Sequence, residues 1–125
     1  MDRKYVKCVL DKGFAIVREK ENIADGWFPN ITFFGTDGNF LFTLLGDSKK
    51  KFYDALTKLG DPEANQEDRQ EFDYSTLSKS YTFEWKLGWL CVFETNVVKD
   101  KTKDSLVIID KTSAKKILEG IKNLV

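Results

Sequence analysis

The sequence predicts an α+β fold in which the order ββββα occurs twice, giving two antiparallel sheets and two helices. Three observations carry this expectation. Short runs that alternate apolar and polar residues recur through both halves, the period of half-buried strands. Two longer segments, Asp47 to Leu59 and Ser113 onward, carry the i, i+3, i+4 apolar spacing of amphipathic helices. Around those helices the two halves align without a gap.

The elements follow in order. Lys4 to Leu10 alternates around Val6, Cys8 and Leu10, and Asp11-Lys12-Gly13 turns it into a strand from Phe14 to Glu19. Ile31 to Phe34 is a third strand. Thr36-Asp37-Gly38-Asn39 contains Asp-Gly, a signal for a tight two-residue hairpin leading into Phe40 to Leu45. A helix from Asp47, its expected N-cap, presents Phe52, Ala55, Leu56 and Leu59 on one face and stops at Gly60. The charged stretch Asp61 to Glu71 reads as a loop. Phe72 to Leu77, Tyr81 to Leu87, Trp89 to Thr95 and Ser105 to Asp110 read as four more strands. The final helix carries Ile117, Leu118, Ile121 and Leu124 on one side.

LFTLLGDSKKKFYDALTKL from Leu41 lies against LVIIDKTSAKKILEGIKNL from Leu106 with strand, cap and helix in the same order. Leu41, Ser48, Lys50, Lys51 and Leu59 meet Leu106, Ser113, Lys115, Lys116 and Leu124. This predicts one domain over residues 1–125, an internal repeat of about 1–60 and 71–125 joined by the loop 61–71, with pseudo-twofold symmetry. It also makes the lysines at the helix starts a repeated choice. Cations at a helix N-terminus oppose the dipole by about 0.3 kcal/mol or more each. Two explanations stand: solubility, or a cationic rim of Lys49, Lys50 and Lys51 beside the path of an anionic ligand.

Composition narrows the function classes. The 125 residues hold 20 basic and 20 acidic side chains, so no global field draws the chain to nucleic acid or membrane, although a local basic surface is compatible with zero net charge. Arginine occurs only as Arg3, Arg18 and Arg69; the remaining cations are lysines, suited to holding phosphates rather than reading base edges. Cys8 and Cys91 are too few for a disulfide framework and sit in apolar runs, as buried thiols of a reducing compartment do. The residues near Met1 contain no apolar run of signal-peptide length, so a cytoplasmic location is expected.

Catalysis is not expected. The sequence has no histidine, the commonest general base and metal ligand, and its glycines fit no phosphate loop or dinucleotide fingerprint. No cysteines stand at metal spacing, and no cofactor is implied. The aromatics are more informative. In Tyr81-Thr-Phe83-Glu-Trp85-Lys-Leu-Gly-Trp89, alternation puts Tyr81, Phe83 and Trp85 on one sheet face. That face is either core or a stacking platform for bases, where each stacked base contributes about 1–3 kcal/mol with little sequence preference. The candidate contacts are Lys4, Lys7, Lys12, Arg18, Trp27, Tyr81, Trp85, Lys86 and Trp89, with Lys49, Lys50 and Lys51 as the outer rim.

The ββββα-ββββα order over nearly the whole chain resembles the Whirly fold, including the small Whirly-like single-stranded DNA-binding proteins of bacteriophages. The plant family's KGKAAL-type motif is not found, and no residue transfers by motif. The resemblance implies two roughly perpendicular sheets that offer strand surfaces and edges to single-stranded DNA. It further implies proteins of replication or recombination as partners, a host cytoplasm, and helices that pack protomers into a dimer or tetramer. An independent argument also points to a homo-oligomer: the helix faces of Phe52, Leu56, Ile117 and Ile121 could exceed what two sheets cover. The rival reading is a small protein-binding module of inhibitor or immunity type, acting through Asp61 to Glu71 or an exposed aromatic patch.

Overall fold

Alternation of side chains across a strand decides which residues enter the core, and here it builds two antiparallel sheets. The computed structural model describes residues 5–18, 29–60, 71–86, 89–95 and 104–124. β1 (Tyr5–Val9), β2 (Phe14–Arg18), β3 (Asn30–Phe34) and β4 (Phe40–Thr43) form the N-terminal sheet in that order, and α1 (Asp47–Gly60) follows. β5 (Glu71–Ser75), β6 (Ser80–Lys86), β7 (Trp89–Glu94) and β8 (Val107–Asp110) form the C-terminal sheet, followed by α2 (Lys111–Leu124). The expected duplicated ββββα order is the observed architecture. No helix among the described residues is long and apolar enough to cross a membrane.

Both sheets turn one face into a single core. Ala15, Val17, Ile31, Phe33, Phe42 and Leu44 enter from the first sheet, and Phe83, Leu90, Val92, Val107 and Ile109 from the second. Phe33 sits at the centre, with ring centroids 5.3 Å from Phe42, 5.3 Å from Phe52 and 6.1 Å from Phe83. Each of these large apolar side chains, Ala15 aside, contributes roughly 1.5–3 kcal/mol through burial, and edge-to-face contact adds to that.

The helices close this core, and their apolar faces fill the stripe read from the sequence. Phe52, Ala55, Leu56, Leu59 and Ile117 are buried within the chain itself. The argument for an oligomer from surplus helix surface therefore fails for Phe52, Leu56 and Ile117; the side chain of residue 121 is outside the description. On α2, Gly120 lies so close to β1 that a Cβ would stand 3.3 Å from Val6 Cγ1.

Local chemistry sets the boundaries. The Asp-Gly turn is longer than the two-residue hairpin expected: Gly35 N–H donates to Asn39 O at 2.9 Å, enclosing Thr36, Asp37 and Gly38. Gly38, at φ 84°, supplies the left-handed residue of this three-residue form. α2 begins at Lys111 rather than near Ser113, because Asp110 Oδ1 accepts the Ser113 N–H at 2.7 Å and caps it. Glu71, read as the end of the charged loop, opens β5; residues 61–70 lie outside the described residues.

The sheets meet at two seams of different character. At one, the β1–β2 turn pairs with β8: Lys12 N–H donates to Ile108 O at 3.1 Å and Ile108 N–H to Lys12 O at 3.0 Å. Gly13 makes this approach possible. Its φ is 81°, and a Cβ there would stand 3.3 Å from Leu106 O and from Val107 Cγ2 on the β8 side, and 2.6 Å from Phe34 O of β3. At the other seam, edge strands β4 and β5 are tied by Tyr74 Oη donating to Thr43 O at 2.6 Å.

Candidate nucleic-acid interface

Strand parity sends the other half of the N-terminal sheet to its outer face. The register pairs Tyr5 with Arg18, Lys7 with Ile16 and Val9 with Phe14. It continues through Arg18 with Asn30, Ile16 with Thr32 and Phe14 with Phe34, and then Phe34 with Phe40 beyond a register shift. Three rows result. One is Val9–Phe14–Phe34–Phe40, the next holds Lys7, Ile16, Thr32 and Thr43, and the last holds Tyr5, Arg18 and Asn30.

The aromatic row is ordered by ring contacts. Phe14 and Phe34 stack at 4.7 Å with 5° between their planes, and Phe40 meets Phe34 edge-on at 6.2 Å and 78°. Phe14 and Phe34 support one another in the middle. The rings most open to solvent are at the corners, Tyr5 at 65% and Phe40 at 63% exposure. Lys7 Nζ lies 4.6 Å from the Phe14 ring centroid, a contact of about 0.5–1 kcal/mol at an exposed site. Thr32 and Thr43 share a hydroxyl hydrogen bond of 2.8 Å within the middle row.

Charge separates this face from its counterpart. β1 to β4 contain Lys7 and Arg18 and no carboxylate. β5 to β8 contain Glu71, Asp73, Glu84, Glu94 and Asp110, with Lys86 as their one cation. A chain of zero net charge thus has a cationic, aromatic sheet and an acidic one.

Of the residues expected to contact nucleic acid, Lys7 and Arg18 share the outer face just described, both exposed. Lys12 is displaced to the paired seam with β8. Tyr81 is not accessible as a stacking platform. It is 4% exposed and packs 4.4 Å from Phe42, because its face of β6 is the core face. Trp85 and Lys86 occupy β6 positions paired with Leu90 and Trp89. Trp89 is partly exposed, on the opposite face of its sheet from Tyr81, with Cys91 and Phe93. Lys4 and Trp27 lie outside the described residues.

The lysine run at the start of α1 divides. Lys49 is not part of an outer rim: it is 2% exposed, and its Nζ donates to Asn30 Oδ1 at 3.2 Å. It occupies the position of α1 that matches the buried Ala114 of α2, so helix periodicity turns it inward. Lys50 and Lys51 are exposed. The aromatics that sequence reasoning missed are Tyr5, Phe14, Phe34 and Phe40. The signal for them was parity: once Val6 and Cys8 face inward, Tyr5 and Lys7 must face outward.

The buried titratable groups lie elsewhere. Tyr53 Oη donates to Pro29 O at 3.2 Å, and burial pushes its phenol well above the ordinary range, with a further rise from Cys8. Burial likewise raises the Cys8 thiol, a rise that nearby Lys116 opposes. Neither adjoins a cluster of metal-binding side chains, and no group of three or more such side chains occurs among the described residues. Compared with family models, curated proteins and solved structures, the chain matches none.

Proposed function

We propose that this chain is a non-catalytic single-stranded DNA-binding protein of Whirly-like type that holds its ligand on the outer face of the N-terminal sheet. The observation that carries the reading is the coincidence on one face of exposed aromatics, Tyr5 and Phe40, with the cations Lys7 and Arg18 and no strand carboxylate. Aromatic rings accept any base by stacking, at about 1–3 kcal/mol per base. Lys7, a flexible point charge, and Arg18, a bidentate fork, supply phosphate contacts between the corners, and two cations are too few to read a run of base edges. Lys50 and Lys51 extend the cationic character at the start of α1. A face of this kind suits an unpaired strand, whose bases are free to stack; a duplex hides them and calls for a denser cationic surface.

The test is a fluorescence anisotropy titration with labelled oligo-dT over a salt series. Affinity is expected to fall as salt rises, with a logarithmic slope of about −0.7 for each phosphate contacted. Tyr5→Ala is expected to weaken binding about tenfold, the value of one stacked base. Trp89→Ala, on the acidic sheet, should leave it unchanged. Absence of binding to oligo-dT at low salt would reject the proposal.

A further inference from the structure

The two seams between the sheets are unequal, and the open one has the form of a site. Where the β1–β2 turn meets β8, backbone pairing joins the sheets. Between β4 and β5, where a side-chain hydrogen bond from Tyr74 to Thr43 O takes the place of backbone pairing, a groove of about 740 Å³ opens, with Phe42, Tyr74 and Tyr81 among its lining residues. Its other walls include Phe40, Leu45 and Leu77, which are three of the most exposed large apolar side chains; Leu77 in the β5–β6 turn is fully exposed. The volume lies in the range of ordinary ligand clefts. Exposed apolar residues gathered along one groove, rather than scattered, mark an interaction surface.

We propose that this groove docks an extended peptide segment of another protein, apolar at alternate positions and bearing a carboxylate that meets Lys79. Three features select that occupant. β4 and β5 are terminal strands of their sheets, so each has one edge without a strand partner among the described residues. Such an edge is a template for an added strand. Side chains of an added strand alternate, so every second one enters the apolar groove while the others face solvent. Lys79 is the only charged residue among the described lining residues, beside the hydroxyls of Ser75, Thr76 and Ser78. One cation without an acidic neighbour in the lining complements one carboxylate. A nucleic-acid strand would bring a charge with every nucleotide and find a single cation in the groove.

This proposal is independent of DNA binding on the sheet face, and its test keeps the two apart by avoiding Phe40, which borders both. Random short peptides displayed on phage are selected against the immobilised full-length chain. The best binder is then synthesised with a fluorescent label and titrated in solution. Selected peptides should alternate large apolar with polar residues and include Asp or Glu. Leu77→Ser and Lys79→Glu should each weaken the labelled peptide about tenfold, as loss of one apolar contact or one charge pair in a groove does. Both should leave oligo-dT affinity unchanged. Leu77 is fully exposed, so its replacement spares the fold, and unchanged thermal unfolding of the variant checks this. Proline at the centre of the peptide should abolish binding, since it removes a ladder donor. Failure to enrich any peptide would overturn the proposal, as would binding that Leu77→Ser does not weaken. So would loss of oligo-dT binding on Leu77→Ser, which would assign the groove to nucleic acid. A dimer that becomes a monomer on that substitution would assign it to a second copy of the chain.

Discussion

The two sheets have the same strand count and order along the chain, and each faces the same core, yet their outer faces differ. The N-terminal sheet turns Tyr5, Lys7, Phe14 and Arg18 outward. The C-terminal sheet turns Asp73, Thr82 and Glu84 outward, and buries Cys91, Phe93 and Ile108 as a separate small cluster. Thr82 Oγ1 donates to Asp73 Oδ1 at 2.8 Å, so part of this polar surface is satisfied internally. Inner faces are constrained by packing and converge on large apolar side chains. Outside that core the packing constraint is weaker, although Cys91, Phe93 and Ile108 still obey one, and the strands of the two sheets have taken opposite charge. The zero net charge of the whole chain, 20 basic against 20 acidic residues, hides this difference.

The largest effect is expected at the core that the two sheets share. Phe83 belongs to the C-terminal sheet but touches Phe33, Phe42 and Phe52 of the other half, and stacks on Phe72 at 4.5 Å. Phe83→Ala should cost about 3–5 kcal/mol. Chemical denaturation followed by tyrosine and tryptophan fluorescence should still show one transition. Two separated transitions would mean that the sheets are independent units.

Alkali tests the same core from α1. The Tyr53 phenol is raised above its ordinary value of 10.0, chiefly by burial. The neutral form is the one the folded state prefers. Its contribution is therefore complete below about pH 10 and is lost as pH climbs from there toward the raised folded value. The urea midpoint should fall in that window, and Tyr53→Phe should flatten the fall while lowering stability at neutral pH through the lost bond to Pro29.

The seams rank next. Gly13→Ala forces a side chain onto a left-handed residue and against Phe34 O, with an expected cost of about 1–3 kcal/mol. Gly38, left-handed as well but with nothing within 4 Å of a Cβ, should tolerate alanine better. Thermal unfolding of the two variants compares a crowded site with an open one. Asp110→Ala should cost about 1 kcal/mol by uncapping α2, read in the same experiment.

Much of this architecture was legible in the sequence because period-2 and period-3.6 patterns are direct consequences of burial on one side. Phe52, Ala55, Leu56 and Leu59 needed no tertiary information. Helix starts were less legible, since Asp47 and Asp110 both suit a cap and only the backbone path selects between Asp110 and Ser113. The site was half legible. Lys7 and Arg18 were found as strand cations, whereas Tyr81 was misplaced because alternation shows which residues share a face without saying which face is core. In β6, Tyr81 and Phe83 are inside; in β2 and β3, Phe14 and Phe34 belong to the outside and Ala15 and Phe33 to the inside. Lys49 was misread for a different reason. A lysine in a charged triplet reads as solvated until a partner such as Asn30, 19 positions away in the chain, is brought beside it.

The smallest substitution effect expected is at single charges: Lys7→Gln should reduce the salt slope of oligo-dT binding by about 0.7, while Glu84→Gln on the acidic sheet should leave it unaltered. The central claim, that one outer face rather than the other holds the strand, is tested most directly by mapping amide chemical-shift changes on titration of the isotope-labelled chain with oligo-dT. The largest shifts are expected on Tyr5–Val9, Phe14–Arg18 and Phe40, with β6 and β7 little affected. Shifts concentrated on β6 and β7, or none anywhere at low salt, would contradict it.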